Sequence, residues 1–316
     1  MTNARKKRVS WTAANIPSQR GRVIVITGTA GLGFECGLAL ARAGAEIVFA
    51  GRNRVRGETS IGIIREKVPE AIVHFEQLDL ADLRSIETCA EQLRARFERI
   101  DVLINNAAVI MSPRRQVTKD GFEPQFGTNY LGHFALTANL IPLLRKGQDS
   151  RIVNVYALAA KRGKINFGDL QSEWQYKPMA AYGQSKLANL IFSIELHRRS
   201  MAEQWGIQSI AAHPGLSRSD LSAGGINRSE ENKTPLLFRL LGSLAIHSGE
   251  QGALPLLFAA TAPEAKSGMA YGPGGPGETK GFPALAKIPS SSRIESIATR
   301  LWNVSEQLTH TQFDAL

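Results

Sequence analysis

The stretch RVIVITGTAGLGFECGLALARAG, residues 22–44, decides how the rest of the chain is read. Residues 23–27 form an apolar run closing on Gly28, and a helical pattern through Leu38 and Leu40 follows until Gly44 stops it. With no Cβ at Gly28, Gly31 and Gly33, the backbone N–H groups of Thr29 to Leu32 and the helix N-terminus can face a pyrophosphate. Glycines also make ordinary tight turns; the position after an apolar first strand is what favours a dinucleotide.

Outward from this unit, strand and helix patterns alternate. EIVFAGRN (46–53), AIVHFEQLDL (71–80), DVLINNAA (101–108), RIVNV (151–155) and IQSIAAHPG (207–215) read as strands. Helical patterns run through Ile61 and Ile64 to Val68 and over 82–97, 122–144 and 179–202. Residues 216–247 interrupt the alternation, which resumes with a helix over 249–261 and a short strand at 269–271. A GPGGPG loop (272–277) and a last helix over 291–308 complete the chain. Strands apolar on both faces, without hairpin signals, predict an α/β fold: a doubly wound parallel sheet of the Rossmann type with right-handed crossovers. The expected organisation is a basic arm (1–21), a single domain (22–285) with an insertion at 216–247, and a C-terminal helical extension (286–316).

The 316 residues, 43% hydrophobic and 21% charged, suit one soluble domain. Of the net charge of +10, six positive charges (Arg5, Lys6, Lys7, Arg8, Arg20, Arg22) precede the first strand, leaving about +4 on the body. The KKR cluster reads as a solvated tail rather than a phosphate- or membrane-binding arm, since no aromatic residues interleave it, and no nucleic-acid partner is expected. No apolar run reaches the roughly 18 residues of a membrane span, and no secretory core is evident, which gives a cytoplasmic expectation. Cys36 and Cys89 read as reduced core residues, and His133, His213 and His247 lack metal-ligand spacing, so no metal is expected.

Further residue patterns carry chemistry. Where an unphosphorylated ribose would call for an acid at the end of the second strand, the chain has Arg52-Asn53-Arg54. A guanidinium can pair with a 2′-phosphate that a carboxylate would repel, which favours NADP(H); the plainer reading is solvated surface arginines. Asp79-Leu80 and Asn105-Asn106-Ala107-Ala108 end two strands at the same edge of the sheet. Tyr182 and Lys186, four apart at the start of a helix, share a face, and an ammonium beside a phenol favours the phenolate.

TGTAGLG, DL at 79–80, NNAA, Asn129 in GTNYLGHFALT, YGQSK and HPG at 213–215 stand in the order found in short-chain dehydrogenases/reductases. The chain resembles them over roughly residues 20–270, above all the branch containing retinol dehydrogenases. The resemblance implies that Tyr182 donates or accepts the substrate proton, that Lys186 holds the nicotinamide ribose, and that Asn129 positions a water in a relay to Lys186. It implies cofactor contacts from Gly28, Thr29, Gly31, Leu32, Gly33, Arg52, Asn53, Asp79 at the adenine, Leu80, Asn106 and Ala107, with Pro214, Gly215 and Ser219 lining the nicotinamide side. It also implies pairing into dimers or tetramers through the long helices containing Asn129 and Lys186.

Three departures stand out. Only Thr29 and Ala30 separate Gly28 from Gly31, one residue fewer than the family pattern, and NNAA replaces NNAG. In this branch the strand before the active site ends VNVSS, and the second serine, 25 residues before the tyrosine, donates to the reacting oxygen. Here that position is Ala157, which cannot donate, and Tyr156 precedes it. Tyr156 is either a replacement donor or an aromatic packed beneath the site with its hydroxyl bonded elsewhere. Residues 216–247, rich in leucine, read as a substrate lid favouring a lipophilic substrate, or as a core helix. The leading expectation is an NADP(H)-dependent oxidoreductase acting on a lipophilic alcohol or carbonyl compound. The alternatives are reduction of C=N or C=C, or a nucleotide-binding protein with little redox activity.

Overall fold

The computed structural model describes residues 10–110, 114–216 and 248–313. One eight-stranded sheet runs through it in the order β3-β2-β1-β4-β5-β6-β7-β8. Its strands are β1 (Val23–Thr27), β2 (Glu46–Gly51), β3 (Val73–Gln77), β4 (Val102–Asn105), β5 (Arg151–Val155), β6 (Gln208–Ala212), β7 (Ala270–Pro273) and β8 (Pro283–Leu285). The first seven pair in parallel, Val25 lying opposite Val48 on one side and Leu103 on the other. β8, not expected from the sequence, adds an antiparallel edge. Three residues beginning at a proline carry too little periodicity to read as a strand.

Helices α1 (Leu32–Arg42), α2 (Arg54–Lys67) and α7 (Gly249–Thr261) cover one face; α3 (Leu83–Arg96), α5 (Gly132–Arg145) and α6 (Pro178–Ala202) cover the other. Side chains alternate between the layers: Ile152 and Tyr156 point to the α5/α6 side, Val153 and Val155 to the α1/α7 side. Local chemistry sets the helix starts. The Asn53 side chain accepts from Arg56 N, and the Asp82 carboxylate accepts from Arg84 N and Ser85 N.

The helix expected over 122–144 is broken into α4 (Pro124–Phe126), a π-turn over Gly127–Leu131, and α5. Glu123, fully buried, holds the start by accepting from both Gln125 N and Phe126 N. Burial pushes the Glu123 carboxyl pKa up, against these bonds. A π-turn adds one residue to the ring closed by each hydrogen bond and so re-aims the side chains that follow.

The ends of the chain pack differently from each other. Of the expected basic arm, residues 10–21 are described, and they are not all solvated: Trp11 and Ile16 lie on the α1/α7 side, Trp11 edge-on to Phe258. The KKR cluster lies outside the described residues. The C-terminal extension forms α8 (Glu295–Thr309), whose Trp302, with Phe313, packs against Phe134 of α5 and Phe192 of α6. Tyr130 of the π-turn bonds Ser305 of α8 at 2.7 Å. Most residues of α5 and of α6 are buried. Cys36 and Cys89 are buried free thiols, and burial pushes Cys89 up to about 12. No helix among the described residues is long and apolar enough to cross a membrane.

Candidate active site

β1 pairs with β2 on one side and β4 on the other, so the crossovers β1 to β2 and β3 to β4 run in opposite directions and a crevice opens at the carboxyl ends of β1 and β4. A cleft of about 490 Å³ occupies it. Gly28 to Leu32 form one wall, with Ala50 to Asn53 beyond them and Asn106 to Ile110 opposite. Gly31 caps α1 at φ 56°, so the shortened turn still delivers the helix N-terminus to the cleft. A Cβ on Gly33 would lie 2.3 Å from the Gly28 carbonyl oxygen and 2.9 Å from Asn106 Nδ2. The turn, the helix and the β4 end therefore meet at a contact only glycine permits, the close helix–strand packing that the last glycine of a dinucleotide-binding turn provides. A larger, open groove of about 710 Å³ lies among Arg94, Arg96, Arg99 and Lys146 and contains none of the candidate residues.

At the β2 end of the cleft, Arg52 and Asn53 line the wall together with Arg56, which sequence reasoning missed. Arg56 follows the Asn53 cap by three residues, and that cap spacing was the available signal. Arg54 turns elsewhere, over the Phe75 ring at 5.0 Å and 3.7 Å from Glu58. Leu78 and Leu80 also line the cleft, whereas Asp79 is not among its lining residues and uses its carboxylate to accept from Ala81 N.

Behind the cleft runs a buried hydrogen-bond chain. Thr27 Oγ1, ending β1, accepts from Asn106 N (2.8 Å) and Ala107 N (2.9 Å). It stands 2.8 Å from His133 Nε2, and His133 Nδ1 is 2.9 Å from the Asn129 carbonyl oxygen. A carbonyl only accepts, which assigns the proton to Nδ1; Nε2 is then the acceptor and Thr27 donates its hydroxyl. Burial, with the nearby Lys186 charge, lowers the His133 pKa to about 4, although its bond to Asn129 opposes this. Asn129 is held on its side chain too: Nδ2 donates to Val109 O and Ser185 Oγ, and Oδ1 accepts from Val109 N. Thr27 and His133 were not singled out for this role, because neither spacing nor composition shows a contact made through a π-turn.

On α6, Tyr182 and Lys186 are buried and both line the cleft, joining the glycine turn and the Arg52 wall in one site. Lys186 Nζ and Asn189 Nδ2 both donate to the Val155 carbonyl, each at 3.2 Å, tying α6 to the end of β5. Ala157 lines the cleft and brings no hydroxyl. Tyr156 also lines it; its ring packs edge-on to His213 with centroids 5.0 Å apart. The Tyr156 hydroxyl is buried without a hydrogen-bond partner among the described residues, and burial, with Glu278 nearby, pushes its pKa upward. Such a group costs roughly 1–3 kcal/mol unless something bonds it. Pro214 lines the cleft, Gly215 follows it, and Ser219 lies outside the described residues, as does 217–247 of the expected lid. No cluster of three or more metal-ligating side chains stands among the described residues.

The sequence pattern of the short chain dehydrogenase family matches residues 22–229. Over 309 residues the chain is 37% identical to retinol dehydrogenase 12 of Mus musculus, covering 97% of this chain and 91% of that one. Polyprenol dehydrogenase of Mus musculus is 36% identical over 312 residues, covering 96% and 89%. A crystal structure of a protein from Mycobacterium paratuberculosis is similar at TM-score 0.79 and 35% identity, covering 96% of this chain and 99% of that one. A short chain dehydrogenase from Shigella flexneri, solved in complex with NADP, shares the fold at TM-score 0.61 and 20% identity, covering 80% and 97%.

Proposed function

The chain belongs to the short chain dehydrogenase family and is an oxidoreductase; on that premise we propose that it uses NADP(H) to interconvert a lipophilic alcohol and its carbonyl compound. The observation that carries this reading is the meeting of Tyr182, Lys186, the glycine turn and Arg52 on one cleft. The nicotinamide, when bound, supplies or takes the hydride. Gly28 to Leu32 hold the pyrophosphate against the α1 N-terminus, and Arg52 with Arg56 neutralises the 2′-phosphate. Tyr182 gives its phenolic proton to the carbonyl oxygen in reduction and takes it back in oxidation. Lys186 favours the phenolate, and its contact with the Val155 carbonyl sets where the ammonium stands. Asn129, locked on both its side chain and its carbonyl, holds the π-turn against Ser185, next to Lys186. The lipophilic class is supported by the relatives, whose names specify retinol and polyprenol.

Ala157 favours a second reading, reduction of a C=N or C=C bond, where no serine hydroxyl has to meet a substrate oxygen. NADPH consumption across long-chain aldehydes, ketones, cyclic imines and enones separates the two. Turnover confined to imines or enones would overturn the carbonyl assignment. Arg52→Ala is expected to weaken NADPH by about tenfold or more while leaving NADH within about twofold. An equal effect on both would remove the 2′-phosphate argument.

A further inference from the structure

The glycine-rich segment GPGGPGETKG, residues 272–281, has no part in the cleft as described so far, yet it is built against one of its walls. At its tip Glu278 adopts φ 58°, a left-handed conformation uncommon outside glycine. Glu278 is held there by three groups. Its Oε2 accepts from Lys161 Nζ at 2.9 Å and stands 3.1 Å from His213 Nε2, and its Oε1 accepts from Lys287 N at 2.8 Å. These bonds hold its carboxyl at about 2, against the upward push of burial.

His213 is fully buried at the end of β6. The Gly215 N–H donates to its Nδ1 at 3.1 Å. An accepting Nδ1 carries no proton, so the proton belongs on Nε2 and is directed at the Glu278 carboxylate. A continuous chain results, from the Gly215 amide through the imidazole to Glu278. The same loop grips the turn again: Leu216 N donates to Thr279 O at 3.0 Å, and a Cβ on Gly215 would lie 2.3 Å from that oxygen. Room for the imidazole comes from Gly272, where a Cβ would lie 2.0 Å from His213 Nε2. Lys161 belongs to the 3-10 turn Leu158–Arg162 that follows Ala157, so the carboxylate joins the ends of β5 and β6 to the β7–β8 loop.

We propose that Glu278 is a positioning residue for the nicotinamide end of the cleft, acting through His213 to fix the Pro214–Gly215 turn that walls it. The inference rests on the dinucleotide reading above and adds a residue and a loop to it. The bonds named above for Glu278 and His213 run to the ends of β5 and β6 and to the β7–β8 loop, whereas the adenine end is built from β1, β2 and the start of α2. Loss of the carboxylate therefore affects the two halves of the cofactor unequally.

The test uses the full chain carrying Glu278→Gln, titrated calorimetrically with NADPH and with adenosine 2′,5′-bisphosphate, which occupies only the adenine end. The amide of Gln keeps one accepting oxygen and sets its NH2 either against Lys161 and His213 or against the Lys287 N–H, so it cannot meet all three donors. NADPH is expected to bind about tenfold more weakly and the bisphosphate unchanged, the loss of one charge-assisted bond. Equal weakening of both ligands, or no weakening of NADPH, overturns the assignment while leaving the dinucleotide reading intact. A wild-type chain that binds neither ligand overturns both. Lys161→Met removes one anchor from a half-exposed position and covers the case in which E278Q does not fold. It should show the same asymmetry at roughly threefold, and a symmetrical loss counts against the assignment.

Discussion

His133 is predicted to make the protein acid-sensitive in a window that its replacement removes. The imidazole is 1% exposed, donates from Nδ1 to the Asn129 carbonyl and accepts the Thr27 hydroxyl on Nε2. A second proton would have to enter at Nε2, against a hydroxyl oxygen that already accepts from Asn106 N and Ala107 N. The folded pKa of about 4 lies below the ordinary imidazole value of 6.5, so between these values the unfolded chain binds more protons and stability falls as the pH falls. The contribution is complete above about pH 6.5, is reduced by about 2 kcal/mol at pH 5, and has fallen by roughly 3 kcal/mol near pH 4. Other groups titrate alike in wild type and His133→Gln, so the difference between their urea unfolding free energies at about pH 7 and pH 5 isolates this residue. Wild type should lose about 2 kcal/mol more than H133Q over that interval. Parallel losses would refute both the buried neutral imidazole and the hydrogen-bond chain assigned to it.

Gly33→Ala places a methyl against the Gly28 carbonyl; thermal unfolding should show a loss of about 1–3 kcal/mol, and NADPH titration should show binding abolished or severely weakened. Ala157→Ser adds a donor to the cleft wall, and steady-state kinetics should show kcat/KM on carbonyl substrates rising by about tenfold or more. Absence of gain on every carbonyl tried would favour the C=N or C=C reading. Trp302→Ala, which empties the centre of the α8 aromatic cluster, should cost about 3–5 kcal/mol in denaturant unfolding.

The sheet was legible because parallel strands buried on both faces leave continuous apolar runs, as in β1, β2 and β4. The cleft residues at strand ends, Gly28, Arg52, Asn106 and Pro214, were legible for a related reason: topology puts every carboxyl end at one edge. Asp79 shows the limit of that reasoning, since its position at a strand end does not reveal that its Oδ1 accepts from Ala81 N. Contacts made between loops were hidden. Glu278, 122 residues beyond Tyr156, reaches the site only because the β7–β8 loop folds back, and no sequence period records such a return. The π-turn was invisible because its residues keep an apolar helical pattern while the hydrogen bonding shifts by one, and that shift brings His133 to the Asn129 carbonyl. Tyr156 remained ambiguous in the sequence because direction decides its role; the ring packs edge-on to His213 and the hydroxyl is enclosed.

The central claim is that Tyr182 moves the substrate proton in a cleft that holds NADPH. Tyr182→Phe removes one oxygen from a buried position and leaves the glycine turn, Arg52 and Lys186 in place. With NADPH affinity measured by fluorescence titration and turnover measured on a substrate that the wild type reduces, the variant should bind NADPH within about twofold of wild type. Its kcat should fall by at least about 100-fold. A variant that binds NADPH normally and keeps kcat within a few-fold of wild type would contradict the account.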